Sequence, residues 1–600
     1  MSRAGLAFAL ASASFFPFAR DAFELPHLVL LLLGVLLTAQ ARLSGAARLT
    51  LLLVFAGAVV SLFTSTSLAL GVPGFVTLCG VLLFASVASA VEPRLLVVAA
   101  VPVAVWALVQ ATGHDLFEWA DVARWCGGVR PFATLGHPTQ LGVWMAAMTV
   151  FALDLGRRRS RGFFVIAGLT AVVCVATLSR AGWLALLVGA VAYAMLVAAR
   201  QAVTARQVVG GSVVLAVAGA FVVGLVGVDA IVERVTNVLV APTRLALWRT
   251  SLAALREHPV LGWGFDTFLL VDQQLRQPEA WKYEWGVTAA HAHSFPAQVL
   301  ATQGLVGALL LVAALVVVLW AWRSRAAHRV APAEVAVLAG LGAAAQVTFL
   351  GVLLSALALM ALVRSLDDDD ARPLPSWWRW AAVPVLAVAL AMLGASVSAR
   401  SDDGLATAAR LEPWSPTWPA LLGASLEERG QLDEARTAYE QALARVPTMA
   451  VSFANVGRVS SKQGDAAATH EAFERARRLA PLDARIALES AEASLRLNEL
   501  ELAGATLEWL VRTSPSDGPA WFALGRVRVL QSRRLEARAM LEASLEMDWR
   551  DWPEGLGASR RLLTAVLLEA GQVNAAALVA GGPDIAELPD DACGAPARLR

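Results

Sequence analysis

The sequence predicts an all-α protein in two parts, a polytopic transmembrane helix bundle of about 12–13 spans followed by an α-solenoid. Three observations carry that reading. Apolar runs of about 20 residues, the length a helix needs to cross the hydrocarbon core, recur through residues 1–398. Arginines fall on alternate connections between those runs. Beyond residue 400 the chain turns charged, and its prolines recur every 34 residues. Composition agrees: 57% hydrophobic and 16% charged, with a mean hydropathy of +0.60, excludes an ordinary soluble enzyme.

In chain order, candidate spans lie near 4–19, 25–41, 49–70, 73–91, 95–112, 131–153, 162–178, 181–199, 207–228 and 297–322. Residues 333–363 are too long for one upright helix, so we divide them near Phe349–Gly351. A last span near 380–398 makes thirteen. No A-x-A-like site follows the first run, which is therefore expected to be retained. Arg42 and Arg48, Arg94, the Arg157–Arg161 cluster, Arg200 and Arg206, and Arg323, Arg325 and Arg329 all fall on one side. The positive-inside rule makes that side cytoplasmic. Loops 113–130 and 229–296 then face outwards, to the periplasm of a Gram-negative cell. Arg364, Arg372 and Arg379 agree with the division near 350, and Trp377, Trp378 and Trp380 suit an interfacial belt. The expected location is the inner membrane, multi-pass, with the large loop and the C-terminal domain periplasmic.

Pro413, Pro447, Pro481 and Pro515 are each 34 residues apart. Ala435, Thr469, Ala503 and Ala537 recur at the same spacing, as do Tyr439, Phe473, Leu507 and Leu541. Leu422-Gly423, Val456-Gly457 and Leu524-Gly525 share another position, with Ser490-Ala491 as the degenerate copy. This pattern is similar to the tetratricopeptide repeat, two antiparallel helices per unit. Four units cover about 416–549, and 553–582 are expected to form a capping pair. The domains are therefore 1–398, a repeat domain at 401–582 and a tail at 583–600. The repeats offer a concave surface for a protein partner; a plain spacer is the alternative.

Charge and cysteine usage remove other classes. A net charge of +1 points to no nucleic-acid partner. Cys79, Cys126, Cys174 and Cys593 have no C-x-x-C spacing, which excludes a zinc knuckle or a disulfide scaffold. Asp115, Glu118 and Asp121 read as a solvated acidic patch, with a shared helix face as the alternative. The most telling junction is 288–310, where His291 and His293 close a polar loop directly before an apolar helix. Ser294 and Pro296 have a structural account there, as N-cap and first-turn proline.

His293-Ser294, followed by Gly304-Leu305-Val306-Gly307, resembles the signature of the membrane-embedded O-antigen ligase and polymerase family. Ser179-Arg180-Ala181-Gly182-Trp183-Leu184-Ala185 resembles its S-R-G-x-W-L-A turn. Arg130-Pro131-Phe132, then Gly136-His137-Pro138-Thr139-Gln140, resembles its R-x-x-G-T-F-G-N-P-N segment, with His137 and Thr139 in place of Asn. Arg244-x-x-x-Trp248, then His258-Pro259-Val260-Leu261-Gly262-Trp263-Gly264, resembles its R-x-x-x-W…P-x-x-G-x-G run. The resemblance implies transfer of a glycan from an undecaprenyl-pyrophosphate carrier to an acceptor hydroxyl, on lipid A core or on another glycan. It implies no metal, no nucleotide sugar and no other cofactor.

That chemistry explains the residue types. The leaving pyrophosphate gains charge, which guanidinium forks neutralise. A neutral His is suited to taking the proton of the attacking hydroxyl. The catalytic candidates are His293 as base or acceptor-orienting residue, with Arg180 and Arg244 on the pyrophosphate. Arg130, His291, His137, Trp248 and Trp263 are the substrate-binding candidates, although His291, two residues from His293, is expected to point elsewhere. Trp281, Tyr283 and Trp285 either stack on sugar rings or anchor the membrane surface. The alternatives are a polymerase of lipid-linked units, a protein O-glycosylating transferase, a transporter or flippase of lipid-linked oligosaccharide, and an inactive scaffold.

Overall fold

The computed structural model describes residues 2–581 except 18, 118, 120–123, 126–127, 201–231, 233–241, 278–287, 325–330, 368–370, 548 and 550–552. The expected span at 207–228, Trp281, Tyr283, Trp285, Cys126, Arg206 and the tail lie outside the described residues.

Helices α1 (Arg3–Ser12) and α2 (Glu24–Leu37) form a hairpin. Then come α3 (Gly45–Phe63), α4 (Leu68–Ala85), α5 (Pro93–Ala111), α6 (Pro138–Arg158), α7 (Gly162–Ala176) and α8 (Arg180–Ala198). The large loop carries α9 (Pro242–Glu257) and α10 (Phe268–Leu275), followed by α11 (Phe295–Ser324), α12 (Pro332–Ala345), α13 (Val352–Ser365) and α14 (Ala382–Ser398). Helices α3, α4, α5, α6, α8, α11 and the stretch Ser376–Ser398 are long and apolar enough to cross a membrane. Helices α2, α7, α12 and α13 are shorter apolar ones. The first part is the polytopic bundle that the sequence predicts. Its centre is α6, whose Trp144, Met145 and Phe151 are fully buried.

Two boundaries differ from expectation, and a third falls where it was expected. Helix α1 stops at Ser12, since Phe16-Pro17 cannot continue it. Residues 131–137 stay outside α6: Gly136 is left-handed (φ 72°) and the helix opens on Pro138. The 333–363 stretch is two helices, and Gln140 secures their connection by donating to the Phe349 carbonyl and accepting from Gly351 N. Of the acidic trio Asp115, Glu118 and Asp121, the last two lie outside the described residues. Asp115 lies beyond α5 and accepts from Trp106 Nε1, Gln110 Nε2 and Trp119 Nε1, so its carboxylate organises an aromatic loop.

Hydrogen bonds gather the connections at two ends. At one end Arg3 bonds to the Leu37 carbonyl, Arg42-Leu43 pairs with Arg372-Pro373, and Arg364 reaches Glu334 and the Val91 carbonyl. At the other end Arg20 bonds to the Ala399 carbonyl, Thr66 to the Trp263 carbonyl and Arg130 to the Thr177 carbonyl.

Helix α11 is broken at Gly304 (φ 61°, ψ −158°). Two carbonyls and two amides there are answered by the segment 259–264. Trp263 N donates to Ala301 O (3.1 Å) and Gly264 N to Thr302 O (2.8 Å). Leu305 N donates to Pro259 O (2.9 Å) and Val306 N to Val260 O (3.0 Å). The two glycine signatures are therefore halves of one joint. Both Gly262 and Gly304 are positive in φ, and a Cβ on either would lie about 2.6 Å from backbone of the facing segment.

The second part runs from α15 (Asp402–Leu411) through four helix pairs. These are α16 (Thr417–Glu428) with α17 (Leu432–Arg445), α18 (Ala450–Gln463) with α19 (Ala466–Leu479), α20 (Ala484–Arg496) with α21 (Leu500–Thr513), and α22 (Gly518–Leu530) with α23 (Arg534–Leu545). A fifth pair, α24 (Pro553–Glu569) with α25 (Val573–Ala580), follows. The recurring Gly sits against the recurring large residue: a Cβ on Gly423, Gly457 or Gly525 would lie 2.7–2.8 Å from Tyr439, Phe473 or Leu541. In the degenerate copy the same place holds Ala491 opposite Leu507. Gly457→Ala is expected to destabilise the repeats by about 1–3 kcal/mol through overpacking, read as a lower melting temperature of the full chain. Gly430→Ala tests the other cost of glycine, since its φ is 77° and its space is open.

Sequence reading missed α15. It packs on α14 and α16 and shares a core of Ala395, Ala399, Leu405, Ala408 and Trp418 with them. The repeat stack thus grows directly out of the last membrane helix. Only 399–401 intervene.

Candidate active site

The site is built from four connections at the Thr177 end of the bundle. Ser179 caps α8 by accepting from Gly182 N (3.1 Å), which sets Arg180 at the first helical position. Gly182 packs on Gly142 of α6, where a Cβ would come within 2.9 Å of backbone. Trp183 Nε1 braces the turn against the Val175 carbonyl. Ser179, Gly182 and Trp183 of that sequence motif therefore each help to place Arg180. Arg130 is drawn to the same turn, its Nε donating to the Thr177 carbonyl (3.1 Å).

His137 is the N-cap of α6: its Nδ1 accepts from Thr139 N (3.0 Å). Asn is a favoured N-cap, so the substitution of Asn by His keeps the cap. It also places a ring, protonated on Nε2, beside Arg130. Arg244 lies on the first turn of α9, which packs on α11.

His293 has left-handed backbone (φ 49°), uncommon for a residue with a Cβ. That reversal corrects the expectation that His291 points elsewhere. The two rings meet edge to face with centroids 4.4 Å apart, and His291 lies 4.9 Å from Phe349. The loop's amides are held at both ends. Asp272 Oδ2 accepts from Ala289 N (2.8 Å), and Gln298 Oε1 accepts from Ala292 N (2.8 Å). Ser294 and Pro296 occupy the expected places, with α11 beginning at Phe295.

Electrostatics tie the six residues into one cluster. Burial, with His291, Arg244 and His137 adding to it, pushes His293 down to about 4. Burial and then Arg130 and His291 lower His137. Burial, then Arg180, brings Arg130 down to about 10 and also lowers Arg244. Among the described residues no carboxylate pairs with Arg130, Arg180 or Arg244, and Arg180 Nε has no partner. The Arg244–Glu233 pair that the sequence allows falls outside the described residues, and no Arg244–Glu257 pair forms among them.

The structure does not bring the two tryptophans into this cluster. Trp248 is 40% exposed on α9. Trp263 is 4% exposed, packed in the loop's own core with Leu247, Phe268 and Ala301 and against His258 (5.0 Å). Its burial follows from the joint at Gly304, so it braces the loop and offers no open ring face. Phe349, Asp272 and Gln298 are additions that the sequence did not single out. Asp272 had one signal, a lone carboxylate in the apolar run F-L-L-V-D-Q-Q-L.

Residues 165–312 match the family model described as O-antigen ligase. The chain carries an O-antigen ligase domain. The match spans α8, the arginines of 180 and 244, the joint at Gly304 and the histidine loop. It supports a membrane enzyme of glycan transfer, of the ligase or polymerase type. No curated protein matches the chain. Solved structures similar to it include TPR proteins. A thermophilic TPR protein of Thermus thermophilus shares 24% identity over 30% of this chain and 93% of its own, with a TM-score of 0.24. PilW, a type IV pilus biogenesis factor, shares 18% over 33% and 90% (TM-score 0.27), and pilF of Pseudomonas aeruginosa 16% over 32% and 86% (TM-score 0.26). At such scores the helix pairs of the ligase-bearing chain itself, and not the likeness, carry its repeat fold.

Proposed function

We propose that the chain transfers a glycan from an undecaprenyl-pyrophosphate carrier to an acceptor hydroxyl, on lipid A core or another glycan, at the outer face of the inner membrane. The observation that supports this is the convergence of three arginines and three histidines with no carboxylate paired to the arginines among the described residues. Partly buried, unpaired guanidinium groups are costly. A pyrophosphate supplies the missing negative charge, and supplies more of it as the bond to the sugar breaks. Arg180 and Arg244 grip that leaving group, with Arg130 beside them. The acceptor oxygen attacks the anomeric carbon, the sugar–phosphate bond breaks, and its electrons leave with the carrier pyrophosphate. His293, neutral through its lowered pKa, takes the hydroxyl proton.

The sidedness of this reading comes from the arginine-rich connections, which gather at the opposite end from the cluster. The repeats, which meet the large loop through Ala450 and Gln273, suit a protein partner or a protein acceptor. Reconstitution with carrier-linked glycan and acceptor tests the core of the proposal. Arg180→Ala is expected to slow transfer by about 10–100-fold, the loss of one charge-assisted hydrogen bond of ~1.5–3 kcal/mol. Arg180→Lys should recover only part, because an ammonium lacks the fork. Full activity in Arg180→Ala removes that arginine from the site. Labelled donor crossing the bilayer without transfer replaces the transferase by a transporter.

A further inference from the structure

The histidine loop is short, polar and strained, and what holds it lies outside the ligase signature residues. Asp272, fully buried on α10, accepts from Ala289 N and lies 3.5 Å from Arg276 Nη2 on the same helix. Arg276 is itself 4% exposed. A pair buried this deeply adds little net stability over an apolar one. Its contribution here is a fixed acceptor for a single amide, two residues before His291.

Helix α10 is in turn held from the repeat domain. Gln273, 5% exposed, accepts at its Oε1 from Ala450 N, the first residue of α18 (3.5 Å). Asp483, the N-cap of α20, is close enough to act on the Asp272 carboxyl, although burial is the main cause that raises it. Two successive repeats therefore face α10. The order of contacts is α18 and α20, then α10, then Ala289, then His291 and His293.

We propose that Asp272 and Gln273 are positioning residues through which the repeat domain sets the placement of His293. The proposal rests on the reading of His293 as the acceptor-side base. With Asp272 in place the loop presents both imidazoles to the arginine cluster. Without it, Ala289 N loses its acceptor and the strained φ at His293 relaxes. The repeat domain then takes part in catalysis by holding one helix still, whether or not it also binds a partner.

The test compares the full-length protein with Asp272→Ala, Asp272→Asn and Ala450→Pro, reading amide exchange of segments 268–276 and 288–294 together with transfer kinetics. Proline suits the first helical position and removes the N–H that Gln273 accepts from. Asp272→Ala is expected to speed exchange in 288–294 about tenfold or more, the weight of a hydrogen bond to a charged group. It should lower kcat with little change in KM for the donor, the signature of lost orientation rather than lost binding. Asp272→Asn, which keeps an oxygen acceptor, should restore most of the protection and part of kcat. Ala450→Pro should loosen 268–276 and, more weakly, 288–294; it also decides the matter if Asp272→Ala does not fold. Unchanged exchange of 288–294 in a folded Asp272→Ala overturns the proposal, and unchanged exchange of both segments in Ala450→Pro removes the repeat domain from it. Faster exchange with transfer untouched leaves the positioning intact and overturns instead the role given to His293.

Discussion

His293→Ala is expected to cut glycan transfer by about 10²–10⁴-fold, the usual weight of a general base, while donor binding survives on the three arginines. The pH profile separates this from a packing defect. In the free protein burial and the neighbouring His291, Arg244 and His137 hold His293 near 4. It is therefore neutral, and able to accept a proton, throughout the range from pH 5 to 8. The acid limb of kcat/KM should fall only as pH drops through about 4, since that parameter reports the free enzyme. Once pyrophosphate lies among the arginines, the local field changes sign and the imidazolium becomes easier to form. The acid limb of kcat should accordingly sit at higher pH than that of kcat/KM. In His293→Ala both limbs should vanish from the residual rate. A wild-type limb in kcat/KM near the ordinary histidine value of about 6.5 would contradict the electrostatics of the cluster.

Gly304→Ala is expected to be the most damaging single change in the membrane part. The residue sits at φ 61° and ψ −158°, a region open essentially to glycine alone and costing a residue with a Cβ about 1–3 kcal/mol. Its Cβ would lie 2.6 Å from Gly262 N and Val260 O, backbone that has nowhere to move. Four backbone hydrogen bonds cross this joint, and in a bilayer unmet amides and carbonyls are especially costly. The sum is about 5 kcal/mol or more, enough to unseat the large loop. A thermal shift of the purified protein and loss of transfer check it. Gly342→Ala is the control, since a Cβ there meets nothing within 4 Å and Ala is the better helix residue.

Much of this fold was legible because hydrophobic length and proline spacing are local signals. The division of 333–363 was readable from length alone, and the place of the break from Phe349–Gly351. The early stop of α1 was also present in Phe16-Pro17, but there a continuous apolar run outweighed the proline. Within the site, Arg130, Arg180, Arg244 and His293 stood in recognisable segments. Their convergence depends on turns whose partners are far along the chain: Arg130 on Thr177, Gln140 on Phe349, Asp272 on Ala289. Trp263 was misread for the same reason. Nothing in W-G-F shows that its neighbour Gly264 docks into a helix break forty residues later. The approach of His291 to His293 was hidden in one backbone angle, which residue spacing does not encode.

The three-residue junction between α14 and α15 has a consequence for geometry above the membrane. Three residues span at most ~10 Å even when fully extended, and here Arg20 and Asp21 also fasten the end of α14 from the side. Anything that docks on the repeats is therefore carried on a fixed arm, not a tether. A flexible tether would offer its cargo at a smeared effective concentration; a rigid arm offers it at one height or not at all. Two partners of equal affinity for the repeats would then differ in use according to where along them the reactive hydroxyl falls. Selection of that kind is made by distance, and it needs no contact with the hydroxyl's surroundings.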